Sequence, residues 1–289
     1  MGKKNGTSRL VFVFTTVLFF SLFSCKTQNV YTVNRIEQVE DLNQTTSKSI
    51  DDMHYDKDAR MLYSIYNDDQ YLYVVMSVTD RTIQKKILMG GLTFWMDTIA
   101  KKKEQFGITF PRAGSMKNSF AKMNKEQMMQ QMQNGGMQQS IDYAELNQKF
   151  SNNLNDMEII GFNNKREPEI IFNQNANGIN ASIQFDEEGT LHYQANIPLK
   201  FVFNNPEEYL NNPNKVFSFG FETGAVDMPS MPSGGRPGGM AGGMAGGGMA
   251  GGMAGGGMRG GGMPGGMSGM QELSKASRFW VKAAHLSKQ

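Results

Sequence analysis

Asp69-Gln70-Tyr71-Leu72-Tyr73-Val74-Val75-Met76-Ser77-Val78 sets a polar turn in front of strict alternation. In an extended chain Leu72, Val74, Met76 and Val78 share one side, and Tyr71, Tyr73, Val75 and Ser77 share the other, the signature of a half-buried strand. Asn67-Asp68-Asp69-Gln70 reads as the turn of a hairpin whose first strand is 61–66. Downstream, Leu92, Phe94 and Met96 alternate with Thr93, Trp95 and Asp97. The same texture predicts strands over 105–110, 157–162, 169–172, 179–185 and 191–197, then 216–221 and 277–281. Asp186-Glu187-Glu188-Gly189 reads as a hairpin turn, and Pro198, lacking a donor, ends its strand or sits at an edge. Many short strands and few helices predict a mainly β chain: an antiparallel β-sandwich, jelly-roll-like, with Phe94, Phe217, Phe219 and Phe221 in its core.

Two segments break this texture. Residues 116–155 are rich in Met, Gln, Asn and Lys and predict an inserted helical segment: one helix from Ser119 to Gln133, stopped by Asn134-Gly135-Gly136, and another over 140–150. The apolar face is partial, so loose docking is expected. Residues 229–272 are nearly all Gly, Met, Ala and Pro. Glycine at that density makes ordering too costly in entropy, so a disordered loop between two strands is expected.

At the N-terminus Lys3, Lys4 and Arg9 precede an apolar run over 10–20, then Ser21-Leu22-Phe23-Ser24-Cys25. That is the order of a cleaved secretory signal. The run is shorter than the roughly 20 apolar residues that span a bilayer. The cysteine after the cut resembles the lipobox of bacterial lipoproteins, including those of Bacteroidetes, although Phe23 stands where a small residue is usual. The resemblance implies a signal peptide over 1–24 and lipidation of Cys25, and several acyl chains together anchor a protein stably. Lys26-Thr27-Gln28-Asn29 has neither an aspartate directly after Cys25 nor the acidic pair that resembles the surface-export signals of some Bacteroidetes lipoproteins, so the expected anchor is on the periplasmic face of the outer membrane of a two-membrane bacterium. Residues 25–53, polar and without clear periodicity, read as a flexible tether, and 54–289 as a single sandwich domain. Cys25 is the only cysteine, so the mature domain has no disulfide, thiolate metal site or thiol nucleophile. A net charge of +2, part of it in the signal, implies no polyanion partner and no nucleic acid. Lys101-Lys102-Lys103 reads as a solvated loop tip.

Asp69-Gln70-Tyr71-Leu72-Tyr73-Val74 with Thr79-Asp80, Leu92-Thr93-Phe94-Trp95-Met96-Asp97, Tyr193-Gln194-Ala195-Asn196-Ile197-Pro198-Leu199 and the closing Phe279-Trp280 together resemble family 9 carbohydrate-binding modules and DOMON-like domains. The resemblance implies a β-sandwich. Its motifs are mostly packing residues, so it does not itself name a ligand.

Tyr71, Tyr73 and Trp95 share one kind of strand face. On neighbouring strands their rings would form a platform for sugar CH faces, with Thr93 or Asp97 bonding hydroxyls; the alternative is a face packed against a second layer. Asp56, Asp58, Asp68, Asp69, Asp80 and Asp97 supply hard oxygens for calcium, though no loop shows a spaced calcium pattern and turn capping explains most of them. His54, His192 and His285 are scattered, and no HExxH, GxSxG or Walker element occurs, so no catalytic residue and no haem ligand is assigned. Met240, Met244, Met249, Met253, Met258, Met263, Met267 and Met270 punctuate the glycine tract. Their soft thioethers suit Cu(I) or Ag(I). A tolerated low-complexity loop and an adhesive arm are the other readings. The expected function is a non-catalytic binding module of the cell envelope for a glycan or small ligand. Metal capture, or a structural role with an envelope protein partner, is the alternative.

Overall fold

The computed structural model describes residues 30–36, 53–116, 142–162, 165–173, 177–226 and 271–288. The signal, Cys25, the helix expected over 119–133 and the methionines of the glycine tract lie outside the described residues. The strands are β1 Tyr31–Thr32, β2 Asn34–Arg35, β3 His54–Asp56, β4 Met61–Asn67, β5 Tyr71–Val78, β6 Leu92–Asp97, β7 Phe106–Thr109, β8 Asp156–Ile160, β9 Glu169–Phe172, β10 Asn180–Phe185, β11 Leu191–Pro198, β12 Phe217–Thr223 and β13 Arg278–His285. The helices are α1 Arg81–Gly90, α2 Tyr143–Asn153, α3 Leu199–Val202 and α4 Pro206–Asn211.

Two sheets face each other. The first runs β1-β13-β12-β6-β7-β8-β9; the second runs β10-β11-β5-β4-β2, with β3 also pairing β4. Neighbours are antiparallel except β1 on β13 and β2 on β4. The alternation read in β5 is the one the fold uses: Leu72, Val74, Met76 and Val78 are buried in the core between the sheets. From the other sheet come Phe94, Phe217, Phe219 and Phe221, with Phe94 and Phe221 rings 5.1 Å apart. Burial of such rings is the dominant stabilising term.

Between β5 and β6 the chain forms a helix that alternation does not reveal. Asp80 caps α1 by accepting from the Thr82 and Ile83 N–H groups at 2.9 and 3.0 Å. Ile83, Ile87 and Leu88, at helical spacing, turn into the core. This helix carries the chain from the second sheet to the first. Further on, α2, at the second helix expected over 140–150, docks on the second sheet: Tyr143, Leu146 and Phe150 fall on one face, with Leu146 and Phe150 buried and the Phe150 ring 5.9 Å from Phe185. The Asn147 side chain donates to the Phe185 carbonyl and accepts from its N–H, both at 2.8 Å, occupying the outer edge of β10.

The segment read as tether is partly structural. β1 lies on β13 in the first sheet, β2 lies on β4 in the second, and Val33 between them is fully buried. Its N–H donates to the His285 carbonyl at 3.1 Å, and the Tyr31 hydroxyl of β1 accepts from the Ile65 N–H of β4 at 3.0 Å. Residues 31–35 therefore strap the two sheets together along one side. The alternation Tyr31-Thr32-Val33-Asn34-Arg35-Ile36 is too short to stand out in a polar stretch.

Candidate functional site

The residues read as one ligand platform are divided between the two sheets. Tyr71 and Tyr73 lie on the outer face of the second sheet, their rings 6.0 Å apart. Tyr73 is buried with Tyr66, Val75 and Ile36, and its hydroxyl donates to Asp68 at 2.6 Å. Burial first, and the hydrogen bond to Asp68 second, push its ionisation upward. These rings are packed by the strap and do not join Trp95. Asp97, on the first sheet, is fully buried, and its carboxylate accepts from Ile99, Lys101 and Lys103 N–H groups at 3.0, 2.7 and 2.9 Å. It folds the Lys101–Lys103 loop, and its oxygens are turned to that loop rather than to a ligand.

Trp95 belongs instead to a row across the outer face of the first sheet. The strand registers set Trp280 opposite Gly220, Gly220 opposite Trp95, Trp95 opposite Gly107 and Gly107 opposite Ile160. The glycines are required by the indoles. A Cβ on Gly107 would stand 2.4 Å from Trp95 Cζ3, and one on Gly220 would stand 2.7 Å from Trp280 Cδ2. Each indole thus lies across a neighbouring strand's bare backbone, with the two ring systems about 10 Å apart, two strand spacings. Trp280 is half-buried, whereas Trp95 is only 7% exposed. Trp280 is thus the more accessible of the two rings, with Trp95 packed beside it.

A polar row runs alongside: Arg278, Glu222, Thr93, Thr109 and Glu158 are register partners in turn. Trp95 Nε1–H donates to Glu222 Oε2 at 2.9 Å, and Arg278 bonds the same oxygen while its other arm reaches Glu104 at 2.7 Å. The Thr93 and Thr109 hydroxyls bond each other at 2.8 Å. Apolar rings beside fixed hydroxyl and carboxylate groups suit a ligand with CH faces and hydroxyl edges. Sequence reasoning placed Trp95 and noted Trp280, but their alignment exists only through pairing with β12.

Two other clusters resemble catalytic groups. Ser77 Oγ lies 2.9 Å from His192 Nδ1, and His192 Nε2 lies 2.9 Å from Asp186 Oδ2. A carboxylate only accepts, so Nε2 carries its proton and Nδ1 of the neutral ring accepts from Ser77. Ser77, however, is 3% exposed on a strand paired along both edges, with no path for an acyl carbon. The chain of bonds is a strut fixing the β10–β11 turn. Likewise Lys86 on α1 is buried and donates to Ser277 Oγ at 2.9 Å. Burial, and next the Arg60 charge, lower its pKa, with Asp80 opposing. The unfolded chain then holds its proton to higher pH than the folded one, so stability rises with pH between the lowered value and the ordinary one. Lys86→Met is expected to be more stable than the parent by about 1 kcal/mol at about pH 7, with the gain shrinking as pH rises towards about 10. Urea melts across that range check it, and a gain constant with pH contradicts it.

Of the other aspartates considered for calcium, Asp58 is exposed, its N–H donating to Asp56, and four are engaged locally. Asp56 and Asp68 accept from turn N–H groups, Asp69 pairs with Arg35, and Asp80 caps α1 and pairs with Arg60. Among the described residues no three His, Cys, Asp or Glu side chains gather as a metal site, and no helix is long and apolar enough to cross a membrane. No protein-family model matches this chain, and no curated protein is similar to it in sequence.

Proposed function

We propose that this chain is a lipid-anchored protein of the cell envelope, held through Cys25 on the periplasmic face of the outer membrane, whose sandwich is a non-catalytic glycan-binding module. One observation carries the ligand surface: the Trp280–Gly220–Trp95–Gly107 row lies beside the Arg278–Glu222–Thr93–Thr109 row. The Trp280 ring offers an apolar face with the buried Trp95 beside it in the same row, and the polar row offers donors and acceptors held in place by each other. The signal-like order before Cys25 supports the anchor, and the resemblance to family 9 carbohydrate-binding modules supports the sandwich that carries the surface. Trp280→Ala is expected to weaken glycan affinity at least tenfold, about 1.4 kcal/mol, with the melting temperature nearly unchanged because the ring is half-exposed. A glycan array with residues 26–289, followed by calorimetry on the variant, tests this; binding that survives the substitution moves the site elsewhere.

A second reading, Cu(I) or Ag(I) capture by thioethers, draws on where the Met-rich segments leave the sandwich. Gly91 at the end of α1 accepts from the Gly224 N–H at 2.9 Å, and Gly114 donates to the Met89 carbonyl at 3.1 Å, so the roots before 117 and 227 adjoin. Deleting 238–270 should then abolish Cu(I) binding and leave the apo melting temperature in place; unchanged Cu(I) affinity removes this reading.

A further inference from the structure

Two facts limit how this protein stands on a membrane. The described chain begins at Val30, which leads directly into β1, and β1 is hydrogen-bonded to β13. Only residues 26–29 separate Cys25 from that point. The five steps from Cys25 to Val30 span at most about 18 Å, whereas a free tether over 25–53 would reach about 100 Å. The far edge of the first sheet, β9, lies six strand positions from β1, about 29 Å away. With the sheet upright on its β9 edge, β1 would stand about 29 Å from the surface, beyond the reach of a leash of about 18 Å.

We infer that the strap edge, formed by β1, β2 and the C-terminal end of β13, lies against the lipid surface, with the sheets standing away from it. The inference rests on the lipid-anchor reading of Cys25. The chemistry of the edge fits a headgroup layer. Val30 is 42% exposed, Lys282 and Lys288 are exposed on either side of the β1–β13 pairing, and Lys282 is two residues, about 7 Å, from the β1 partner Ala284. Asp69, beside β2, is paired with Arg35, which weakens its repulsion from anionic headgroups. The tryptophan row starts on β13 and runs away from this edge, so its ligand approaches parallel to the membrane.

The test uses the full lipidated protein in vesicles of phosphatidylcholine and phosphatidylglycerol. Since acylation consumes the only native thiol, single cysteines introduced by Lys282→Cys and Glu187→Cys accept a fluorophore selectively. Glu187 is exposed in the β10–β11 turn, at the opposite edge of the second sheet. Nitroxide-bearing lipids are expected to quench the 282 label several-fold more than the 187 label. Inserting twenty Gly/Ser residues between Asn29 and Val30 should erase that difference. Equal quenching of the two labels in a protein that does incorporate palmitate at Cys25 overturns the inference and leaves the anchor standing. No palmitate incorporation, with protein in the soluble fraction, overturns the anchor and the inference together.

Discussion

Val33→Asp is expected to unfold the domain or to leave it melting far below the parent. Val33 is fully buried at the point where the strap passes from the first sheet to the second. Its backbone is fixed on both sides: its N–H bonds His285, and its carbonyl accepts from the Ser287 hydroxyl. Burying an unpaired charge costs several kcal/mol even when the group protonates to escape it. That is a large share of the roughly 5–15 kcal/mol that holds a domain together. Thermal and urea melts of residues 26–289 measure the loss, with Thr32→Asp, on an exposed position of the same strap, as the control. If Val33→Asp melts like the parent, the strap is dispensable and 25–53 is a tether after all.

Gly107→Val is the second large effect. The added side chain occupies the position of the Trp95 ring, so the indole must leave the sheet and give up its bond to Glu222. Overpacking of this kind costs about 1–3 kcal/mol, and more when a large ring loses its seat. Glycan affinity should fall with stability, because Glu222 loses one of the two groups that aim it. Trp95→Ala should cost about 3–5 kcal/mol by removing the same ring without a clash. A destabilised Gly107→Val with unaltered ligand affinity would separate this row from binding.

The strand pattern was readable because alternation reports which residues share a side of a strand. It does not report which sheet the strand joins. Tyr71, Tyr73 and Trp95 do point away from the core, as their parity requires. The helix between them moves the chain to the opposite sheet, so their faces look in opposite directions. Asp80 as cap, with Ile83, Ile87 and Leu88 at helical spacing, was the available sign of that change. Gly107 and Gly220 carried no signal of their own, since a glycine in a strand gains its meaning from the ring opposite. Asp97 could not be told from a ligand-facing carboxylate until the N–H groups of the following loop were seen to fill it.

The chain has two tryptophans, Trp95 and Trp280, and both lie in one row of the first sheet. Intrinsic indole fluorescence therefore reports on this face alone. The most direct measurement is a fluorescence titration of residues 26–289 with the oligosaccharides selected by array binding, run in parallel on Trp280→Phe. A saturable change in emission in the parent, with a weaker affinity in the variant, is the expected result. Calorimetric binding of the same oligosaccharide with no change in indole emission would contradict the account, because the ligand would then lie away from the tryptophan row.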